Sequence, residues 1–217
     1  MSGNATETAS PKRRRSLATR QDIVEAAIAC FIDIGYVRTT TTEIAKKAKV
    51  TRGAVQHYFP TTQQVLLAAI DYLQKNWIEA FYAAARDSDP SKDSIDFAVE
   101  NLWAFVNDPL HIAWQELVAS SRTDAELRAI IEPASERYDA ARRELDRATY
   151  PQFRDADRDK FAKLRDMLRF LLEGMANSVL TYDEEARIQS QLKLAKELLH
   201  SAWEPETSEH KIELKSE

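Results

Sequence analysis

The chain has 217 residues, of which 44% are hydrophobic, and a formal net charge of −5. That composition supports a globular core and excludes a highly charged disordered chain. The single cysteine, Cys30, excludes an intramolecular disulfide, and no apolar run approaches the roughly 18 residues that span a bilayer. No apolar stretch follows the N-terminal charges, so we expect no secretory signal and a cytoplasmic protein without membrane association.

Charge is unevenly distributed along the chain. Residues 1–62 carry ten Lys/Arg against five Asp/Glu, whereas residues 63–217 carry twenty against thirty. Binding to phosphates depends on local charge, so the N-terminal part remains compatible with nucleic acid. The basic run 12–15 is either a solubilising tail or an arm that enters a minor groove, and we expect residues 1–16 to be disordered in isolation.

The first predicted helix extends from Leu17 to the residue before Gly35. Apolar residues recur there at three- and four-residue spacing, and Gly35 is suited to the positive φ that ends many helices. Thr40 followed three residues later by Glu43 forms a capping box, which begins a second helix that ends near Ala48.

A third, very short helix is predicted directly after the second. Lys49-Val50 forms the turn and Thr51 caps a helix over residues 52–58, after which Thr61 or Thr62 caps a long fourth helix. Two short helices joined by a tight turn are typical of a helix-turn-helix, in which the second helix presents its first residues to base edges.

Polar side chains occupy the outer side of this predicted third helix. Gln56 can pair with adenine in the major groove, and Arg52 can reach guanine or a phosphate. Gly53 allows close approach of the backbone. The predicted DNA contacts are Thr40, Thr42, Thr51, Arg52, Gly53, Ala54, Gln56, His57, Tyr58 and Thr62.

At these residues the chain resembles the TetR family of transcriptional regulators. The resemblance covers roughly residues 18–66 and rests on Gly35-Tyr36, Thr39-Thr40, Glu43-Ile44-Ala45, Ala48, Val50-Thr51, Gly53-Ala54-Val55 and Tyr58-Phe59. It implies an N-terminal three-helix DNA-binding domain followed by a larger helical domain for ligand binding and dimerisation. Two residues depart from the family: Lys49 stands where glycine is usual in the turn, and Thr62 stands where lysine usually opens the fourth helix.

Prolines mark the boundaries of the remaining predicted helices. We expect helices near 92–107, 110–120, 124–148, 156–181 and 184–203, with Pro133 kinking or splitting the third of these. The predicted fold is therefore all-α with about nine helices. Its predicted parts are a basic arm (1–16), the helix-turn-helix domain (17–62), the larger helical domain (63–203) and a flexible tail (204–217).

Large aromatic side chains are spread over several helices of the larger domain. They are either ordinary core residues or the lining of an apolar or aromatic ligand pocket, to which Gln115 could add a polar contact. The candidate lining residues are Trp77, Phe81, Trp103, His111, Trp114 and Phe170.

The last two predicted helices carry sustained apolar positions. They either pack only on their own subunit or form a four-helix bundle with a second copy, as the resemblance implies. The predicted dimer residues are Leu168, Leu172, Met175, Val179, Leu192 and Leu199.

Nothing in the sequence indicates an enzyme, a metal site or a cofactor. The histidines, the cysteine and the carboxylates lack the spacing of metal ligands, and no Gly-rich phosphate loop occurs. The favoured function is a homodimeric regulator, a repressor, that binds a palindromic double-stranded DNA operator and is released by a small apolar or aromatic effector. The alternative is a helical dimeric adaptor that binds protein and does not act on DNA.

Overall fold

The computed structural model describes residues 11–86, 93–149, 155–178, 181 and 185–202. Nine helices and no strand occur in these ranges, which confirms the predicted all-α class. The helices are α1 (Pro11–Ile34), α2 (Thr41–Lys47), α3 (Arg52–Tyr58), α4 (Thr62–Arg86), α5 (Ser94–Val106), α6 (Pro109–Ser121), α7 (Ala125–Thr149), α8 (Asp155–Ser178) and α9 (Glu185–Ala202). None of the helices in the described ranges is long and apolar enough to cross a membrane.

The first helix begins earlier than the sequence predicts. It starts at Pro11 instead of Leu17, so the expectation of disorder is wrong for residues 11–16. Proline is favoured in the first turn of a helix, and the basic residues that follow it are good helix formers, which explains the extension. Residues 1–10 and the predicted tail lie outside the described residues.

The interior proline of α7 does not split that helix. The helix continues from Ala125 to Thr149 through Pro133. Proline removes the donor that would bond to the carbonyl of Ala129, but both residues are exposed. Water can therefore solvate the freed carbonyl, and the helix continues where a buried proline would interrupt it.

The chain divides into two compact units, and the division does not follow the predicted boundary at residue 62. The first compact unit contains α1–α4, α6, α7 and the end of α5 from Phe105. The second contains α5 up to Ala104 together with α8 and α9. Because α4 packs against α1, α6 and α7, the three N-terminal helices share one core with half of the predicted larger domain.

The core of the first compact unit consists of aliphatic side chains at helical spacing. Its most deeply buried members are Ile23, Ile44, Val55, Ile70, Leu73, Leu117 and Leu127. Burial of each such side chain contributes about 1.5–3 kcal/mol to the free energy of unfolding. This continuous core holds α2 and α3 on the rest of the unit.

In the second compact unit, polar contacts connect α5 to α9. The ammonium group of Lys196 donates to Glu100 Oε1 at 2.7 Å, and this hydrogen bond raises the pKa of Lys196. Val99 and Leu102 of α5 are buried in the same unit.

Candidate functional site

The second helix is fixed by a cap at its start. Thr40 has extended backbone angles, and its hydroxyl accepts a hydrogen bond from the Glu43 N–H at 3.3 Å. This is the Thr40 half of the predicted capping box. The Glu43 carboxylate instead pairs with Lys46 at 2.7 Å. The cap confirms Thr40 as the residue that begins α2, and the hydroxyls of Thr40 and Thr42 lie on exposed residues.

The turn between α2 and α3 contains a lysine in a left-handed conformation. Lys49 has φ of 56°, as its place in the glycine position of the turn predicts. The Lys49 N–H bonds to the Lys46 carbonyl at 3.2 Å and the Val50 N–H to the Ala45 carbonyl at 3.0 Å. This pair of bonds is a Schellman motif, whose left-handed residue is commonly glycine. A lysine there costs about 1 kcal/mol in backbone strain.

The third helix is seven residues long and is anchored by two buried side chains. The Thr51 hydroxyl accepts from the Ala54 N–H at 3.1 Å and so caps α3, as predicted. Val55 and Phe59 are buried in the core, and the Arg20 guanidinium lies 4.8 Å from the centre of the Phe59 ring. With α3 anchored in this way, Arg52, Gln56 and His57 are exposed on its outer side.

Most of the predicted DNA contacts are exposed together around α2, α3 and the start of α4. Ala54 and Tyr58 are half-buried, and Tyr58 packs against the core, so its ring is less available than the sequence predicts. The exposed members are Thr40, Thr42, Thr51, Arg52, Gly53, Gln56, His57 and Thr62. Thr62 is the first residue of α4, while Thr61 caps that helix by accepting from the Gln64 N–H at 3.2 Å.

The cations near α3 differ in whether they have an acidic partner. Lys47 pairs with Asp33 at 2.5 Å, and this hydrogen bond raises the pKa of Lys47. Lys49 and Arg52 are exposed and form no ion pair with any described residue. The positive charges of Lys49 and Arg52 are therefore not neutralised locally and face solvent beside α3.

A residue far along the chain holds the loop between α1 and α2. Glu116 of α6 accepts a hydrogen bond from the Tyr36 N–H at 2.7 Å. Gly35 has φ of 79°, and a Cβ at that position would lie 3.0 Å from Glu116 Oε1. The backbone angle at position 35 thus requires glycine, and a Cβ there would also require the Glu116 carboxylate to shift. The sequence predicts the first requirement and gives no signal for the second.

An aromatic cluster lies in the first compact unit around Trp77 of α4. Four rings on α5, α6 and α7 have centroids that lie 5.3–6.1 Å from the centroid of the Trp77 indole. Those four neighbours are Phe105, His111, Trp114 and Tyr138. Trp77 is 4% exposed, and its Nε1–H has no hydrogen-bond acceptor among the described residues. The cluster therefore contains a buried donor that an additional acceptor could satisfy.

The predicted ligand residues divide between the two compact units. Phe81 joins the aromatic cluster through Phe105, at 5.4 Å between ring centroids, and the Arg142 guanidinium lies 3.8 Å from the Phe81 ring centre. Gln115 lies 3.0 Å from the ring nitrogen Nε2 of His111. Trp103 and Phe170 belong to the second compact unit, and Phe170 is 62% exposed. The predicted lining residues do not include Phe105 and Tyr138, which the packing of α5 and α7 brings to Trp77.

The predicted dimer residues of α8 and α9 are buried within the protomer. Side chains that are already buried offer little new surface for a second copy to cover, and their assignment to the interface stays a prediction. They are Leu168, Leu172, Met175, Leu192 and Leu199. Val179 lies outside the described residues.

Other apolar side chains form an exposed stripe on each of these two helices. On α8 the stripe is Met167, Phe170, Leu171 and Gly174, at the i, i+3, i+4, i+7 spacing of one helix face. On α9 it is Leu194 and Leu198, which are 45% and 54% exposed. A Cβ built on Gly174 meets no atom within 4 Å, so the backbone is open to close approach at that position.

Three potential metal ligands meet in the second compact unit, although their spacing in the sequence gives no such signal. One ligand atom each of Asp93, Asp96 and His200 lie within 4.8 Å of one another. Asp93 Oδ1 accepts from the N–H groups of Ile95 at 2.9 Å and Asp96 at 3.1 Å, and the bond from Asp96 contributes most to lowering the pKa of Asp93. Helix capping of α5 therefore accounts for the position of Asp93.

Comparison with known proteins places the helix-turn-helix in a described family. The family model for bacterial regulatory proteins of the tetR family matches residues 23–69. The HTH-type transcriptional regulator CymR of Pseudomonas putida is 31% identical over 133 residues, which cover 59% of this chain and 65% of CymR. The chain thus matches less than two thirds of the length of this relative, which is named as a transcriptional regulator and not as an enzyme.

Solved structures share the fold over most of the chain. A putative TetR-family regulator from Mesorhizobium loti has a TM-score of 0.64 and 16% identity, covering 86% of this chain and 97% of its own. A putative regulator from Saccharomonospora viridis in complex with choline has a TM-score of 0.62 and 20% identity, covering 85% of this chain and 96% of its own. The helix-turn-helix residues of this chain thus match the model of the tetR family of bacterial regulatory proteins, and its helical fold matches that of solved structures described as putative TetR-family regulators.

Proposed function

We propose that this chain is a ligand-responsive transcriptional repressor that binds a palindromic operator as a homodimer. The observation that carries the proposal is the outer side of α3, where Arg52 and Gln56 are exposed while Val55 and Phe59 hold the helix on the core. Guanidinium and amide groups are the side chains that form paired hydrogen bonds with guanine and adenine in the major groove. The unpaired charges of Lys49 and Arg52 would attract phosphates.

A second copy is the proposed partner of the exposed stripes on α8 and α9. Six exposed apolar or small residues on two neighbouring helices of one unit leave surface that water solvates poorly. Two-fold pairing of such helices buries the stripes in a four-helix bundle and places two copies of α3 on two half-sites. Gly174 supports this arrangement because its open backbone admits a helix from the partner.

The proposed effector binds at the aromatic cluster around Trp77. Aromatic faces suit an apolar or aromatic molecule, and the buried Nε1–H of Trp77 suits one that also carries a hydrogen-bond acceptor. Trp77 lies on α4, the helix that begins directly after the helix-turn-helix. A compound that favours the conformation unable to bind DNA would thereby release the operator. Trp77→Phe should weaken release by that compound, and an unchanged response would remove Trp77 from the proposed site.

Selection from a random pool of duplex DNA tests the proposed function. The full-length wild-type chain should enrich an inverted repeat whose half-sites lie about one helical repeat, roughly 10 base pairs, apart. A protein-binding adaptor that does not act on DNA would enrich no sequence. That outcome would favour the adaptor and refute the assignment of α3 to DNA.

A further inference from the structure

Lys49 occupies a position whose backbone conformation disfavours it. Its φ of 56° makes it the one residue other than glycine with a positive φ among those the structure describes. The two hydrogen bonds of the Schellman motif fix that conformation, because both depend on the left-handed residue. Glycine would take this conformation without strain. Lysine in its place lowers the free energy of unfolding, and the hydrogen bonds of the turn do not offset that loss because glycine would form them too.

No interaction within the described chain offsets this cost. The two lysines just before it are paired, Lys46 with Glu43 at 2.7 Å and Lys47 with Asp33 at 2.5 Å. Lys49 is exposed and forms no ion pair with a described residue. Lys46 and Lys47 already place positive charge at the C-terminal end of α2, so a third lysine adds little there. The fold explains the left-handed backbone but not the choice of lysine, and non-glycine residues in such conformations are concentrated at functional positions in proteins.

The position of Lys49 in the chain indicates what its ammonium group could contact. It lies in the turn that precedes Thr51 and Arg52, the residues that begin α3. If α3 lies in a groove of duplex DNA, α2 crosses the sugar-phosphate backbone that borders the groove, and this turn joins α2 to α3. A lysine ammonium pairs with phosphate as a point charge and does not require a particular base.

We propose that the Lys49 ammonium pairs with a DNA backbone phosphate beside α3, and that this contact retains lysine at a position suited to glycine. The inference rests on the proposed function, since it requires α3 to bind duplex DNA. Lys49 acts as a positioning residue: it strengthens binding to all sequences equally and leaves the choice of sequence to the residues of α3.

The test uses Lys49→Gly, because the predicted changes in stability and DNA affinity have opposite signs. The melting temperature of the variant should rise by about 2 °C, since glycine removes the strain. Its affinity for a mixed-sequence duplex should fall roughly tenfold near 0.1 M salt, and the slope of log affinity against log salt should decrease by about 0.9 per protomer. Lys49→Arg keeps the charge and should retain the wild-type slope.

Matched controls separate failure of this inference from failure of the proposed function. Lys75→Ala removes an exposed lysine of α4 and should leave affinity and slope unchanged. If wild type binds the duplex and Lys49→Gly has the wild-type affinity and slope, the Lys49 contact is refuted while DNA binding stands. If Lys49→Gly is weaker but keeps the slope, the charge contact is likewise refuted. If wild type shows no salt-dependent binding to duplex DNA, the proposed function itself fails.

Discussion

The helix-turn-helix and the α8–α9 pair differ in how closely the sequence determines their surfaces. In α2 and α3 the capping hydroxyls of Thr40 and Thr51 and the turn between the helices occur where the sequence places them. In α8 and α9 the helices are also present, but the apolar residues assigned to a dimer are buried in the protomer, and a neighbouring stripe is exposed instead.

The difference arises from the range of the interactions involved. A cap such as Thr51 is determined by residues two or three positions away, and a left-handed turn by its immediate neighbours. A helix that is apolar over more than one face does not indicate which face its own subunit covers, because that depends on residues far along the chain. Periodicity predicts that α8 is helical and apolar, and only the packing shows that Leu172 is buried and Phe170 exposed.

The largest expected effect comes from two separate variants of α8, one with a charge on its buried face and one with a charge on its exposed face. Leu172 is fully buried, and even its truncation to alanine should cost about 2–5 kcal/mol, so Leu172→Glu should unfold the second compact unit. Phe170→Glu should leave the helical circular dichroism and melting profile of the monomer intact. Sedimentation velocity should show that this variant no longer forms the proposed dimer, because each copy loses a large apolar contact.

Gln189→Glu provides the matched control for an added negative charge. Gln189 is exposed on α9, on a different side of the helix from Leu194 and Leu198. Its variant should sediment as wild type does. Dimers that persist in Phe170→Glu would show that the exposed stripe of α8 is not the interface.

A smaller effect is expected where the helix-turn-helix depends on a distant residue. Glu116→Ala leaves the partly buried Tyr36 N–H without its acceptor and should lower the free energy of unfolding by about 1–3 kcal/mol. Glu116→Gln retains an acceptor oxygen and should lose less. Urea denaturation monitored by circular dichroism measures both changes.

Hydrogen exchange makes the Glu116 test more specific. The Tyr36 amide should exchange faster in Glu116→Ala than in Glu116→Gln. Ser120→Ala, which removes only a 3.3 Å hydrogen bond to the same carboxylate oxygen, should change little. Equal unfolding energies and equal exchange at Tyr36 in wild type and Glu116→Ala would contradict a supporting role for Glu116.

The sequence therefore predicts the fold class, the helix order and most of the candidate DNA surface. The resemblance places Lys49 at a turn position where glycine is usual, and the structure gives that residue a left-handed conformation. The sequence does not predict that Tyr58 is half-buried against the core, nor which rings surround Trp77, because both depend on the angles at which helices pack. The hydrogen bond from the Tyr36 N–H to Glu116 joins residues 80 positions apart, so no local sequence pattern predicts it.

Equilibrium binding to the selected inverted repeat tests the central claim, that α3 carries the contacts to DNA, most directly. Arg52→Ala and Gln56→Ala should each weaken binding by about 1–3 kcal/mol, or roughly 5- to 150-fold, and relax the base preference at one position of each half-site. Lys75→Ala should bind as wild type does, and all three variants should keep the wild-type sedimentation profile. Wild-type affinity and base preference in both α3 variants would contradict the account.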